Sequence, residues 1–262
     1  MRLATSCSEC RQEDVDAGQP IEGLGWYFVD LSEDDAYVST CERGHVVRFT
    51  LQNMRYELLY EAGVVAMLTG FRREAVSSMA TALERFLEFA IYVFLEDEEA
   101  DPGEVTESWR DLSSKTERQL GAFLLLHLST LGRPYFNPKN TRKDFGTYTE
   151  LRNRIVHAGI IPTEKETMTV ARYVFDRITS LQGALVEMNK EAVEKVEQRS
   201  SAQKHRALEN KSPPVRDAEG RYNSGGTAVY SMMLSRVFIQ GQGDSFEERL
   251  KAAEGMLDVW GL

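Results

Sequence analysis

Two sets of residues in this chain have types and spacing that point to chemistry. Arg152, Asn153 and His157 fall inside Tyr148–Pro162, which reads Tyr-Thr-Glu-Leu-Arg-Asn-Arg-Ile-Val-His-Ala-Gly-Ile-Ile-Pro. Cys7 and Cys10 form Cys-x2-Cys, and Cys41 with His45 forms Cys-x3-His. A histidine exchanges a proton near neutral pH. A guanidinium makes paired hydrogen bonds to a carboxylate or a phosphate. Three thiols and an imidazole are a donor set for tetrahedral zinc.

The first set needs a helix to position it. Tyr148, Leu151, Ile155 and Val156 recur at three- and four-residue steps, and Gly159 followed by Pro162 supplies a stop, so the spacing predicts a helix ending near His157. Asn153 and His157 are four apart and share a face, whereas Arg152 falls within the apolar arc. A guanidinium there requires a carboxylate, a phosphate or a second chain as partner.

The run Leu-Arg-Asn-Arg-Ile-Val-His-Ala-Gly resembles the signature of the HEPN family of helical nucleases, an Arg followed by four to six residues and a His. The resemblance covers roughly 51–198. It implies a helical bundle that cleaves RNA without a catalytic metal: an internal 2′-hydroxyl attacks the adjacent phosphate, leaving a 2′,3′-cyclic phosphate and a 5′-hydroxyl end. It further implies Arg152, Asn153 and His157 as the catalytic residues. His157 would act as general base or acid, Arg152 would hold the phosphate, and Asn153 would orient the imidazole or hold the phosphate. One histidine cannot easily both remove and donate the proton, so the resemblance implies a homodimer through the motif helices, with RNA across the shared groove. A toxin or anti-phage role is implied too, with a regulatory partner or antitoxin left open. The competing expectation is a non-catalytic HEPN-like module that binds RNA, nucleotides or a protein.

The second set predicts a structural zinc site. Three cysteines, all within the first 41 residues, and no secretory signal argue against a disulfide framework. Gly44 supplies a flexible backbone just before His45. Gly25–Asp30, Ala36–Thr40 and His45–Leu51 read as short β segments between polar turns. A ribbon of about fifty residues needs such a metal for its core, since zinc contributes roughly 10–16 kcal/mol of apparent binding free energy to small modules. All four positions would be closed by protein ligands, leaving folding, dimer contact or nucleic-acid contact as the ribbon's task.

A net charge of −10 excludes a generic charge-driven nucleic-acid binder. Between Arg133 and His157, however, six basic residues stand against two acidic ones. Arg142, Lys143, Lys139 and Arg154 are the candidate RNA-binding residues of that stretch, which reads equally as a solvated helix face. The composition is that of a globular chain, and no run approaches a membrane span. A cytoplasmic protein is expected.

The pattern changes near Gln52 from period two to period 3.6. The expected fold is therefore mainly α: a zinc-ribbon-like β module over 1–52, a HEPN-like helical domain over 53–198, and a linker with a C-terminal extension over 199–262. Helices are predicted over Arg55–Thr69, Arg72–Leu95, Val105–Ser114, Lys115–Leu131, from Thr141 to the motif, and from a capped start at Thr163 past Glu194. Glu84, on the long second helix, is a possible supporting residue reaching Arg152 or His157, or else belongs to a surface stripe with Arg85 and Glu88. His127 lies in an apolar stretch and reads as a packed histidine. Gln198–Gly226 reads as a flexible linker, Val229–Ile239 as helix or strand, and Ser245–Trp260 as an amphipathic helix that docks on the domain or on a partner.

Overall fold

The structure is a computed structural model that describes residues 2–18, 26–136, 141–213, 226–228 and 245–260. The chain divides into two compact units, one formed by Met1–Asn53 with Gln198–Tyr230 and the other by Met54–Glu197 with Ser231–Leu262.

In the first unit, β1 (Arg2–Ser6) leads into α1 (Ser8–Asp16) and pairs antiparallel with β2 (Trp26–Asp30). Antiparallel β3 (Ala36–Thr40) and β4 (Val46–Leu51) form a hairpin, and β5 (Gly226–Ala228) lies parallel to β4. Tyr37 and Phe49 are direct cross-strand partners, with rings stacked 4.7 Å apart. Such a pair pins the hairpin register.

β2, β3 and β4 match the β segments read from the sequence, but β1, β5 and α1 were not foreseen: the nine residues of α1 carry no apolar stripe, only the thiol of Cys10 and the carboxylate of Asp14 being buried. A second difference concerns Gln198–Lys211, the start of the stretch read as a linker, whose residues 214–225 lie outside the described residues. The helix that begins at Glu164 continues to Lys211 and contributes its last turns to this unit. Polar composition there reflects cationic docking in place of a linker. Lys204 is buried and donates to the carbonyls of Leu51 at 3.1 Å and Asn53 at 2.5 Å, with Asp35 at 3.4 Å. Lys211 donates to the Ala36 carbonyl at 2.8 Å and to Asp34 at 2.7 Å. Val229–Ile239 lies outside the described residues.

The second unit is helical. It contains α2 (Arg55–Leu68), α3 (Arg72–Asp97), α4 (Pro102–Leu112), α5 (Thr116–Leu131), α6 (Thr141–Val156), α7 (Glu164–Lys211) as far as Glu197, and α8 (Phe246–Trp260). The central element is α3, whose Val76, Met79, Leu83, Phe86, Phe89, Ile91, Val93 and Phe94 are buried and which packs on α2, α5 and α6. In the same core, α7 buries Val170, Val174, Ile178, Leu181 and Leu185, and Tyr60 of α2 donates to the Ala171 carbonyl at 2.8 Å. Thr163 and Glu166 cap α7 reciprocally, at 2.8 and 3.2 Å.

A kink at Asn189 has a local cause. Its side chain accepts from the Ala192 N–H at 3.0 Å, starting a new helical segment, and donates to Asp97 at 2.7 Å. A second capping box, Ser245 with Glu248, opens α8, whose Phe246 packs edge-on against Phe175 with centroids 5.5 Å apart. The amphipathic tail helix thus docks on its own domain. His127 is buried among Phe94, Phe123 and Tyr135, with Nδ1 3.0 Å from the Arg133 carbonyl. No helix among the described residues is long and apolar enough to cross a membrane.

The α2–α3 contact depends on Gly63. A Cβ there would stand 2.6 Å from Met79 Cγ and 3.1 Å from the Ala75 carbonyl oxygen. Gly63→Ala gains about 1 kcal/mol of helix propensity, but overpacking a filled core costs about 1–3 kcal/mol. Because Met79 is fully buried, the expected outcome is a net loss of about 1 kcal/mol, read from urea denaturation.

Candidate functional site

In the first unit, Cys7, Cys10, Cys41 and His45 converge, with all four ligand atoms within 4.8 Å of one another. Each is brought there by local geometry. Cys7 is the N-cap of α1 and its sulfur accepts from the Cys10 N–H at 3.5 Å. Cys41 and His45 flank the β3–β4 turn, closed by Gly44 N–H to Cys41 carbonyl at 2.9 Å and Cys41 N–H to His45 carbonyl at 3.0 Å. Gly44 has φ 91°, which a side chain would disfavour.

The donor spacing fits a metal. Four ligands about 2.0–2.3 Å from one centre lie roughly 3.3–3.8 Å apart along tetrahedral edges. Cys10 Sγ is 3.5 Å from Cys41 Sγ, and His45 Nδ1 is 3.7, 3.3 and 3.6 Å from the sulfurs of Cys7, Cys10 and Cys41. The thiols are free and buried. Burial and the neighbouring sulfurs push Cys10 up to about 12. Burial would raise Cys41 as well, but the backbone N–H groups of His45 and Arg43 hold it at about 7. A cation bound among these sulfurs would hold them as thiolates. The cluster is compatible with a structural metal site, closed to substrate by its four protein ligands.

Glu9, Glu13, Asp14 and Arg43 adjoin this cluster and were not singled out from the sequence. Glu9 and Glu13, four apart, would have signalled a shared face only once α1 was known. His45 Nε2 lies 3.2 Å from Glu13 and 3.8 Å from Glu9. Arg43 reaches Glu13 at 3.4 Å and the buried Asp14 at 2.7 Å.

In the second unit, α6 ends where the motif predicted, with His157 accepting no further helical turn because Gly159 turns the chain at φ 70°. Arg152 Nη1 lies 3.2 Å from Asn153 Oδ1 and 2.9 Å from His157 Nε2, and Nη2 donates to Glu84 at 2.7 Å. The structure thus brings together Arg152, Asn153, His157 and Glu84. Glu84 supplies Arg152 with a carboxylate partner. Glu84 and Arg152 are about one-fifth exposed, at 20% and 24%, whereas His157 is open to solvent. A guanidinium only donates, so in this contact the Nε2 of His157 is the acceptor.

Tyr148, one turn before Arg152, is buried beside this pair, and that burial, with Glu84 adding and Arg152 opposing, raises its phenol above the ordinary range. Its ring stacks on Tyr173 at 4.7 Å, and the two help line a cavity of about 760 Å³ between α6 and α7. Arg142, Lys143 and Arg154 are exposed on α6, Arg154 lying 3.5 Å from Glu166. Lys139 lies outside the described residues. Arg85 pairs with Glu88 at 2.6 Å, leaving Glu84 as the member of that charged stripe that turns to the motif.

Comparison with models of known protein families, with curated proteins and with solved structures finds no match.

If the Cys/His cluster holds a metal, its removal unfolds the first unit. A chelator strong enough to strip the metal at pH 7 is expected to abolish the near-ultraviolet signal of the Tyr37–Phe49 hairpin while leaving most of the helical far-ultraviolet signal of the second unit. Cys10→Ser is expected to reproduce that state without chelator, because a hydroxyl is a poor replacement for a thiolate ligand.

Proposed function

We propose that this chain is a metal-independent endoribonuclease of HEPN type, with a structural zinc ion held by Cys7, Cys10, Cys41 and His45. The observation that carries the nuclease reading is the contact of Arg152 with His157 at 2.9 Å, braced by Glu84. It supports the roles that the Arg-x4-His resemblance implies. The 2′-hydroxyl gives its proton to Nε2 of His157 as its oxygen attacks the phosphorus. Arg152 moves its donors from the imidazole to the phosphate as negative charge builds there. The bond from phosphorus to the 5′-oxygen breaks, and that oxygen takes a proton from His157 of a second copy. Products are a 2′,3′-cyclic phosphate and a 5′-hydroxyl.

A homodimer through the motif helices suits this division of labour. Ile160 and Ile161, immediately after the motif, are 42% and 73% exposed, an apolar surface that a second copy would cover. Arg142, Lys143 and Arg154 would hold RNA beside the site. Zinc is the metal that three thiolates and one imidazole in a closed tetrahedron favour, and it would keep the first unit folded without entering the reaction. A cytoplasmic toxin or anti-phage effector, restrained by a partner or antitoxin, is the setting that the resemblance implies.

The same contact of Arg152 with His157 also suits a second reading, a non-catalytic RNA-, nucleotide- or protein-binding module. Within a single copy the Nε2 lone pair of His157 is already occupied by Arg152, so the base is unavailable until that contact opens.

Purified full chain, beside His157→Ala and Arg152→Ala, is incubated with diverse RNAs in excess EDTA, with folding and zinc content checked. The parent is expected to yield cyclic phosphate ends, and each variant to cleave at least about 100-fold more slowly. Equal cleavage by parent and His157→Ala removes the imidazole from the mechanism. A folded parent that binds RNA and leaves it intact selects the binding module.

A further inference from the structure

We propose that Glu13 is a positioning residue of the metal centre, committing His45 to bind through Nδ1; this rests on the metal reading of the Cys/His cluster. The two ring nitrogens of His45 face different surroundings. Nδ1 has all three sulfurs within 3.7 Å. Nε2 has instead a carboxylate oxygen of Glu13 at 3.2 Å, with Glu9 more distant at 3.8 Å.

A neutral imidazole has one lone pair and one N–H. With Nε2–H donated to Glu13, the lone pair is fixed on Nδ1 and points into the sulfurs. The same hydrogen bond fixes the orientation of the ring toward the sulfurs.

Glu13 is itself held. Arg43 lies 3.4 Å from it and 2.7 Å from Asp14, a carboxylate buried in α1. Arg43 belongs to the turn between the ligands Cys41 and His45, while Glu13 and Asp14 belong to the helix that carries Cys10. The same ionic contacts therefore lock the helix that supplies one pair of ligands onto the turn that supplies the other. They also balance charge. Three thiolates around a divalent cation leave a net negative centre, to which Glu13 adds and which Arg43 offsets.

The test uses the full chain with zinc and with cobalt(II) as probes. Metal affinity is measured by chelator competition, cobalt geometry by visible absorption, and the bound nitrogen by imidazole nitrogen–proton correlations in isotope-labelled zinc protein. The parent is expected to bind one ion tetrahedrally, with Nε2 protonated. Glu13→Ala is expected to lose roughly 10- to 100-fold in affinity, the range for removing a partner of a ligating histidine. Glu13→Gln keeps an acceptor for Nε2–H, so it retains the Nδ1 pattern and loses less, and Glu9→Gln stays close to the parent. Undiminished affinity in Glu13→Ala, or coordination through Nε2 in the parent, overturns the proposal while leaving the metal centre standing. A folded parent that takes up no stoichiometric metal overturns both.

Discussion

A guanidinium can be drawn against a helical core only if a carboxylate or equivalent acceptor goes with it. In the second unit that requirement joins α3 to α6 through Glu84 and Arg152. Once it is met, the rest of the motif follows. The guanidinium has donors left for Asn153 and His157, and the imidazole is held at the end of α6 with its ring open to solvent. The apolar flanks of the same helices, with Phe86 and Phe89 on α3 and Tyr148 and Ile155 on α6, fix their relation so that the ion pair is made with little freedom left to lose. The polar constellation is thus a product of core packing.

The first unit meets a different constraint. Among the described residues it buries few apolar side chains, chiefly Tyr27, Val29, Tyr37, Phe49, Leu51 and Leu208. A unit of this size cannot rely on hydrophobic burial alone. Its remaining ties are polar and long-range in sequence: the Cys/His cluster, the Arg43–Asp14 pair, and the lysines of the last turns of α7 bonded to hairpin carbonyls. Each tie joins elements that local propensity would leave separate. α1 is held by its cysteine and carboxylates, and Gln198–Lys211 by Lys204 and Lys211.

Much of this architecture was legible in the sequence where periodicity was strong. The strands of the hairpin and the helices of the second unit fall within a few residues of where alternating and 3.6-residue patterns put them, and the capped start at Thr163 was readable from Thr and Glu three apart. Four elements were not: the strands β1 and β5, which lay outside the β segments read, the helix α1, and the last turns of α7. The helix α1 has no apolar stripe, since it is held by ligands and ion pairs, and pattern recognition depends on hydrophobic burial. The last turns of α7 looked like a linker because their docking residues are lysines, whose burial is visible only when the carbonyls and carboxylates they meet are in place.

The sequence by itself determined the identity and spacing of the chemically capable residues: four soft donors in two pairs, and an arginine, asparagine and histidine at the end of one helix. Those follow from local rules of helix periodicity, turn chemistry and ligand type. Only the tertiary structure decided what meets what. That Glu84 answers Arg152 on α3, that Glu13 and not a backbone carbonyl faces Nε2 of His45, and that Lys204 closes the hairpin all depend on pairs 32 to 153 residues apart. Spacing along one element cannot specify such pairs, because they are fixed by the packing of whole elements.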